Sequence, residues 1–226
     1  MKKYEYILFD LDGTLTDSSE GIMKSILYAL DTMGIEQPSE ETLRLFIGPT
    51  LDYSYRTYMK LDEDAIKEGI RLYRDRYSKV GKFENRPYDG IKDALALLKN
   101  KGCKLLVASG KPETFVNDIL EHFDLMKYFD FCAGSTLDGV RSKKDDIIAY
   151  AFSNMGITPD IYDKVLMVGD RKFDVEGAKS IGIDCLGVRY GFAPQGELEE
   201  AGATYIADDM NHMIKMFEEM LNGLQG

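Results

Sequence analysis

Apolar runs of strand length recur along the chain, at Tyr6–Phe9, Lys104–Ala108, Phe129–Ala133, Val165–Val168, Ile183–Val188 and Thr204–Ala207. Between most of them the apolar spacing changes to that of an amphipathic helix. One such segment starts at Ile91 and stops near Gly102. A second opens at Pro112, a favoured first helical position, and runs to about Phe123. A third covers Asp145 to Met155, and a fourth follows Asp174 and stops at Gly182. Strands separated by helical crossovers pair in parallel, and the helices cover both faces of the sheet. The expected fold is therefore α/β with a parallel sheet.

One stretch breaks the alternation. Between Asp17 and about Pro87 no strand is expected, and three helices are. Asp17-Ser-Ser-Glu20 reads as a capping box for a helix to Met33 that stops at Gly34. Ser39 would cap a helix to Phe46, ended by Gly48-Pro49. Asp62 would open a long helix, Ala65 to Lys79. The stretch reads as a helical insertion, residues 17–87, in a core made of 1–16 and 88–226.

Composition narrows the function. The net charge of −11 argues against sequence-independent binding to nucleic acid or to anionic membranes. No apolar run approaches the roughly 20 residues of a membrane span, and no leader-type apolar region precedes the first strand. A cytoplasmic protein is expected. Cys103, Cys132 and Cys185 each adjoin an apolar run and read as free thiols. His122 and His212 have no Cys or His at ligand spacing, so surface or packing roles are expected.

In open α/β sheets, ligands bind beyond the carboxyl ends of the strands. Four strand ends here are polar. Tyr6–Phe9 leads into Asp10-Leu-Asp12-Gly-Thr14, and alternation puts both carboxylates on one side. "KLLVASGK" supplies Ser109, Gly110 and Lys111. "FCAGSTLDGVRSKK" leads to Lys143 and Lys144, and "VLMVGDRKFD" supplies Gly169, Asp170 and Asp174. A parallel sheet gathers all four at one rim. Asp10, Asp12 and Asp170 would repel one another, and a hard divalent cation such as Mg²⁺ relieves that repulsion. The cation, one lysine and a hydroxyl can then collect a phosphoryl group. One carboxylate can attack phosphorus, while its neighbour protonates the leaving oxygen and later activates water. For Asp174, near a helix start, an ordinary cap is the alternative reading. Arg171 and Lys172 can be a solvated helix start.

These motifs resemble those of the haloacid dehalogenase superfamily. Asp10-Leu-Asp-Gly-Thr14 is similar to its first motif, Ser109 to its second, Lys143 or Lys144 to its third, and Gly169-Asp170 with Asp174 to its fourth. "FDLDGTLTDS", "FIGPTL" and "VRYGFAPQGELEEAGATYIADD" look most similar to the phosphoglycolate phosphatase-like branch. The resemblance implies a Rossmann-like core and an inserted four-helix cap domain. It implies Asp10 as nucleophile and Asp12 as general acid/base. It further implies Mg²⁺ held by Asp10, the Asp12 main-chain oxygen and Asp170, with Asp174 in support. Ser109 and Lys144 would complete the catalytic set, and Thr14, Gly110, Lys143 and Gly48 would meet the substrate.

The expected function is Mg²⁺-dependent hydrolysis of a small phosphomonoester through an aspartyl-phosphate, by a monomer or homodimer. Phosphoglycolate, pyrophosphate, nucleotides and sugar phosphates are all open as substrates. A phosphomutase resembling β-phosphoglucomutase and a non-catalytic phosphometabolite-binding module are the alternatives. Within the insertion, Tyr55, Arg56, Tyr58, Arg71, Tyr73, Arg74, Arg76 and Tyr77 offer groups for a substrate anion, without singling out any one.

Overall fold

Strand Val165–Gly169 has no polar side chain and is buried at every position, as a strand covered by helices on both faces must be. In the computed structural model, which describes residues 3–222, it is β6 of a six-stranded sheet. The others are β1 (Tyr6–Phe9), β4 (Lys104–Pro112), β5 (Phe131–Ser135), β7 (Asp184–Val188) and β8 (Tyr205–Ala207). Met1 and Lys2, the first residues of the stretch read as lacking a leader, lie outside the described residues. The order is β5-β4-β1-β6-β7-β8, with every pairing parallel. Phe9 of β1 stands opposite Val107 on one side and Val168 on the other. The connection order therefore reverses at β1, and a crevice opens beyond the ends of β4, β1 and β6.

Alternate strand residues feed two cores. Phe9, Val107 and Val168 pack against helix α5 (Ile91–Asn100), α6 (Glu113–His122) and α10 (Met210–Asn222) through Leu95, Ile119 and Phe217. Leu8, Leu106 and Met167 pack on the other face against α7 (Lys144–Met155) and α8 (Lys172–Ile181) through Ile148 and Val175. No helix among the described residues is long and apolar enough to cross a membrane.

Several boundaries differ from expectation, each for a local reason. β5 starts at Phe131 because the Phe129 N–H closes a turn onto the Met126 carbonyl. β4 runs on to Pro112 through a register shift after Ser109, so Pro112 both ends that strand and stands at the N-cap of α6, one residue ahead of its first turn. α8 starts at Lys172, ahead of Asp174. The Asp174 carboxylate accepts the Arg171 N–H at 3.1 Å and caps the helix from inside its first turn.

The inserted helices are α1 (Ser19–Thr32), α2 (Glu40–Arg44), α3 (Leu51–Tyr58) and α4 (Glu63–Lys79). They share an apolar cluster of their own, built on Ile26, Leu30, Phe46, Tyr55, Ile66 and Tyr77. Ser39 caps α2 as expected, accepting the Thr42 N–H at 3.2 Å. α2 then gives way at Arg44 to successive turns through Ile47. The short α3, capped by Thr50, lacks enough turns to show periodicity in the sequence. The expected capping box is absent. Asp17 accepts from Ser19 N–H at 3.2 Å and from Ser19 Oγ at 2.6 Å, and Glu20 pairs with Lys24 instead. Asp17 belongs to β2 (Thr16–Asp17), which pairs antiparallel with β3 (Arg86–Pro87) where the chain enters and leaves the insertion.

α4 buries Ile66, Gly69, Leu72, Tyr73 and Tyr77 along one face, and its start is capped by the Asp62 carboxylate, which accepts the Ala65 N–H at 2.9 Å. Asp62→Ala should lower unfolding free energy by about 0.5–2 kcal/mol. Urea denaturation followed by far-UV circular dichroism checks this, and an unchanged midpoint would show the cap to be dispensable.

Candidate active site

The crevice collects the sequence-derived residues on neighbouring strand ends. Asp10 closes β1 and is buried. Its Oδ1 accepts the Leu11 N–H at 2.8 Å and lies 3.2 Å from Lys144 Nζ. Beyond it the chain folds back on itself, with Gly13 N–H donating to the Thr16 carbonyl at 2.8 Å. Gly13 sits at φ +80°, and a Cβ there would lie 2.0 Å from Asp170 Oδ2. The glycine of Asp-x-Asp-Gly-Thr is thus needed for both the turn and the approach of Asp170.

Oxygens of Asp10, Asp170 and Asp174 lie within 4.8 Å of one another. Asp170 and Asp174 are almost completely buried, and Asp170 Oδ1 has no partner among the described residues. Asp170 Oδ2 accepts the Phe192 N–H at 2.7 Å. Burial, then the Asp174 and Asp10 charges, push the Asp170 carboxyl well above its ordinary range. Burial pushes Asp174 up to about 6, against the opposing pull of Lys144. Three oxygen donors with one orphaned atom suit a hard divalent cation, and no nitrogen or sulfur ligand intrudes. The Asp12 carboxylate stands outside this cluster. Its Oδ2 pairs with Lys111 Nζ at 2.7 Å, and its Oδ1 is unpartnered among the described residues.

Lys144, the first residue of α7, reaches inward. Its Nζ lies 2.7 Å from Asp174 Oδ1 and donates to the Ala108 carbonyl at 2.9 Å. Burial alone would lower its pKa, but the Asp10 and Asp174 charges outweigh it and hold the ammonium protonated. Lys143 is exposed and precedes α7 in extended backbone; it lines a cavity that reaches Asp10. Ser109 is buried in β4 just before its register shift, its Oγ accepting the Lys111 N–H at 3.3 Å.

Two cavities reach Asp10 from either side of the Gly48-Pro49-Thr50 turn. The larger, about 460 Å³, is also lined by Asp12, Ser109, Gly110 and Lys111, and walled by Ile22, Phe46, Ile70, Tyr73, Tyr77 and Phe115. The other, about 450 Å³, is lined by Lys143, Lys144, Arg171 and Asp174. Thr14 lines neither; it is fully buried beneath the rim, and its carbonyl accepts the Tyr190 O–H at 3.0 Å.

Of the cationic and aromatic groups noted in the insertion, Tyr73, Arg74 and Tyr77 face the larger cavity. Tyr55 is core, Arg56 and Arg71 pair with surface carboxylates, and Arg76 pairs with Glu84. Tyr73 and Tyr77 stack at 5.2 Å, Phe115 lies 5.6 Å from Tyr77, and Lys111 Nζ sits 4.6 Å over the Tyr77 ring. Burial raises the Tyr77 pKa, and its hydroxyl has no partner among the described residues. Arg171 is not the solvated helix start weighed above. It is 4% exposed and bonded to Glu197 and to the Ile47 carbonyl. No sequence signal joins these residues, which come from separate segments.

The profile of haloacid dehalogenase-like hydrolases matches residues 7–188. A 5'-nucleotidase of Pseudomonas aeruginosa is 38% identical over 216 residues, 96% of each chain. Tyrosine-protein kinase PtkA of Mycobacterium tuberculosis is 37% identical, covering 89% of this chain and 68% of that one. A phosphoglycolate phosphatase of Vibrio parahaemolyticus is 29% identical over 93% and 94% of the two chains. The crystal structure of a predicted phosphatase from Clostridium acetobutylicum superposes with a TM-score of 0.90, at 44% identity, over 96% of this chain and all of that one.

Lys144→Ala should lower kcat by about 100-fold or more, the weight of one charge-stabilising donor, while Lys143→Ala stays near wild type. Steady-state phosphate release compares them, and a collapse in Lys143→Ala alone would reverse the assignment. The raised Asp170 and Asp174 pKa values make a second expectation. In the metal-free protein, the stability they contribute is full below the unfolded carboxylate pKa and is lost as pH rises, through about 6 for Asp174. Protons and Mg²⁺ compete there, so Mg²⁺ should raise the melting temperature more at pH 8 than at pH 5. Equal increments at the two pH values would count against these carboxylates as the metal ligands.

Proposed function

Because the chain belongs to the haloacid dehalogenase-like hydrolases and is a phosphoric monoester hydrolase, we propose that it hydrolyses nucleoside 5'-monophosphates with Mg²⁺, through an aspartyl-phosphate on Asp10. The observation that carries the substrate is the larger cavity. Its floor holds Asp10, Asp12 and Ser109, and its walls are aromatic. A volume of about 460 Å³ is far more than a two-carbon leaving group needs. Flat apolar walls favour a heterocycle over a small acid. The 5'-nucleotidase relative, similar along the whole chain, supports this reading over the phosphoglycolate one.

Asp10, Asp170 and Asp174 would hold the metal, with the Asp12 main-chain oxygen. When bound, Mg²⁺ supplies neutralisation of phosphoryl charge as bonds to phosphorus change. With Oδ1 of Asp10 held by Leu11 N–H and Lys144, Oδ2 is the oxygen left to attack phosphorus. Lys144 balances charge on the transferring group, and Ser109 Oγ can donate to one of its oxygens. The Asp12 carboxylate, which lines the larger cavity, would deliver a proton to the departing 5' oxygen and then take one from the water that cleaves the phospho-aspartate.

Residues 17–87 would act as a cap on the core of residues 1–16 and 88–226. The Thr16–Asp17 and Arg86–Pro87 ribbon is the natural hinge. Thr14 becomes a support of the rim, and Gly48 and Gly110 remain at the substrate.

Comparing kcat/KM for a nucleoside 5'-monophosphate, ribose 5-phosphate and phosphoglycolate tests the substrate. The nucleotide should lead by about tenfold or more, the worth of a well-packed aromatic contact. Tyr73→Ala should erase most of its lead over ribose 5-phosphate. A phosphoglycolate rate equal to or above the nucleotide's would overturn the substrate reading, and leave the phosphatase chemistry standing.

A further inference from the structure

Arg171 follows Asp170 directly, yet its side chain leaves the acidic cluster and runs to the inserted helices. Nη1 donates to the Ile47 carbonyl. Nε and Nη2 donate to the two carboxylate oxygens of Glu197, at 2.8 and 3.3 Å. Glu197 Oε1 also accepts the Lys172 N–H at 3.0 Å, so the carboxylate is itself fixed to the start of α8. A fork-shaped guanidinium locked on one side by a carboxylate presents its remaining donors in a set direction. Here that direction is a carbonyl of the turn between α2 and α3.

The contact is also one of shape. Gly48 has φ +108°, and a Cβ on it would lie 2.9 Å from Arg171 Nη1 and 3.0 Å from Arg171 Cγ. The bare glycine backbone therefore rests along the arginine side chain. The turn carrying it, Gly48-Pro49-Thr50, lines both cavities that reach Asp10. Lifting it would merge them. Another cross-link between insertion and core, Lys82 to Asp118 at 2.5 Å, lies near the Arg86–Pro87 side of the hinge ribbon. The Arg171 contact is made at the turn that borders Asp10.

The geometry assigns Arg171 the role of a clasp, a positioning residue that holds the Phe46–Thr50 turn down on the site. It ties cap closure to the strand end that carries Asp170. Arg171 touches no reacting atom; it acts through the placement of the turn. The claim rests on the phosphatase reading only for its kinetic readout.

The test pairs hydrogen exchange with kinetics in Arg171→Ala and Glu197→Gln. In Arg171→Ala, amides of residues 46–50 should exchange faster by about tenfold or more, as a charge-assisted hydrogen bond is lost. KM for a nucleoside monophosphate should rise by about tenfold to a hundredfold on the same ground. Hydrolysis of a small aryl phosphate, which needs no cap contacts, should keep its kcat, and the Mg²⁺ midpoint should hold. Glu197→Gln keeps the shape but loses the charge pair. It should move both readouts in the same direction by less, and it carries the test if Arg171→Ala fails to fold. Unchanged exchange at residues 46–50 in a folded variant overturns the clasp. So does an activity loss fully explained by a shifted Mg²⁺ midpoint, which would place Arg171's effect on Asp170. Should the wild type release phosphate from no ester, the substrate reading falls while the exchange comparison still decides the clasp.

Discussion

Three carboxylates, Asp10, Asp170 and Asp174, are buried together, with the ammonium of Lys144 between two of them. Their mutual repulsion is the constraint the rest of the structure serves. Left alone, such a cluster stays partly protonated, which is why burial and like charge drive the Asp170 carboxyl up. It is tolerable only on a rigid frame. β1 and β6 are hydrogen-bonded neighbours buried on both faces, so Asp10 and Asp170 cannot move apart to relieve the strain. Lys144 is delivered by the first turn of α7, and the Ala108 carbonyl fixes its head. Stored repulsion of this kind would favour a bound cation by preorganisation, because binding the ion would release it.

Division of labour between the two parts follows from their chemistry. The sheet edge supplies charge: acids, a lysine and a serine on fixed strand ends. The inserted helices supply shape and apolar surface through Tyr73, Tyr77, Phe46 and Ile70. Phe115 and Lys111, from the core, complete the wall, with Lys111 set between Asp12 and the Tyr77 ring. A charge-dense floor thus lies under an aromatic wall, the arrangement on which the nucleotide proposal rests. Arg171 crosses between the parts, so it is placed to make one report on the other.

Much of this was legible in the chain alone. Alternating apolar runs and amphipathic segments determined a parallel α/β sheet, because no other pairing accommodates helical crossovers. Polar residues directly after those runs marked Asp10, Asp12, Ser109 and Asp170, since strand ends at one rim must converge. Side-chain caps such as Ser39 and Asp62 were visible because they act over three residues. Tertiary structure alone decided the rest. Lys144 and Lys143 are equivalent in composition, and only the phase of α7 against β4 turns one inward. Asp174 reads in sequence as supporting the metal, with a helix cap as the alternative, and it is both a cap and a member of the acidic cluster. The sequence leaves Arg171 open between a solvated helix start and a charge beside the cluster, because its partner, the Ile47 carbonyl, is 124 residues away. The aromatic wall joins α4 to α6 across the crevice, and contacts between distant segments leave no local pattern to read.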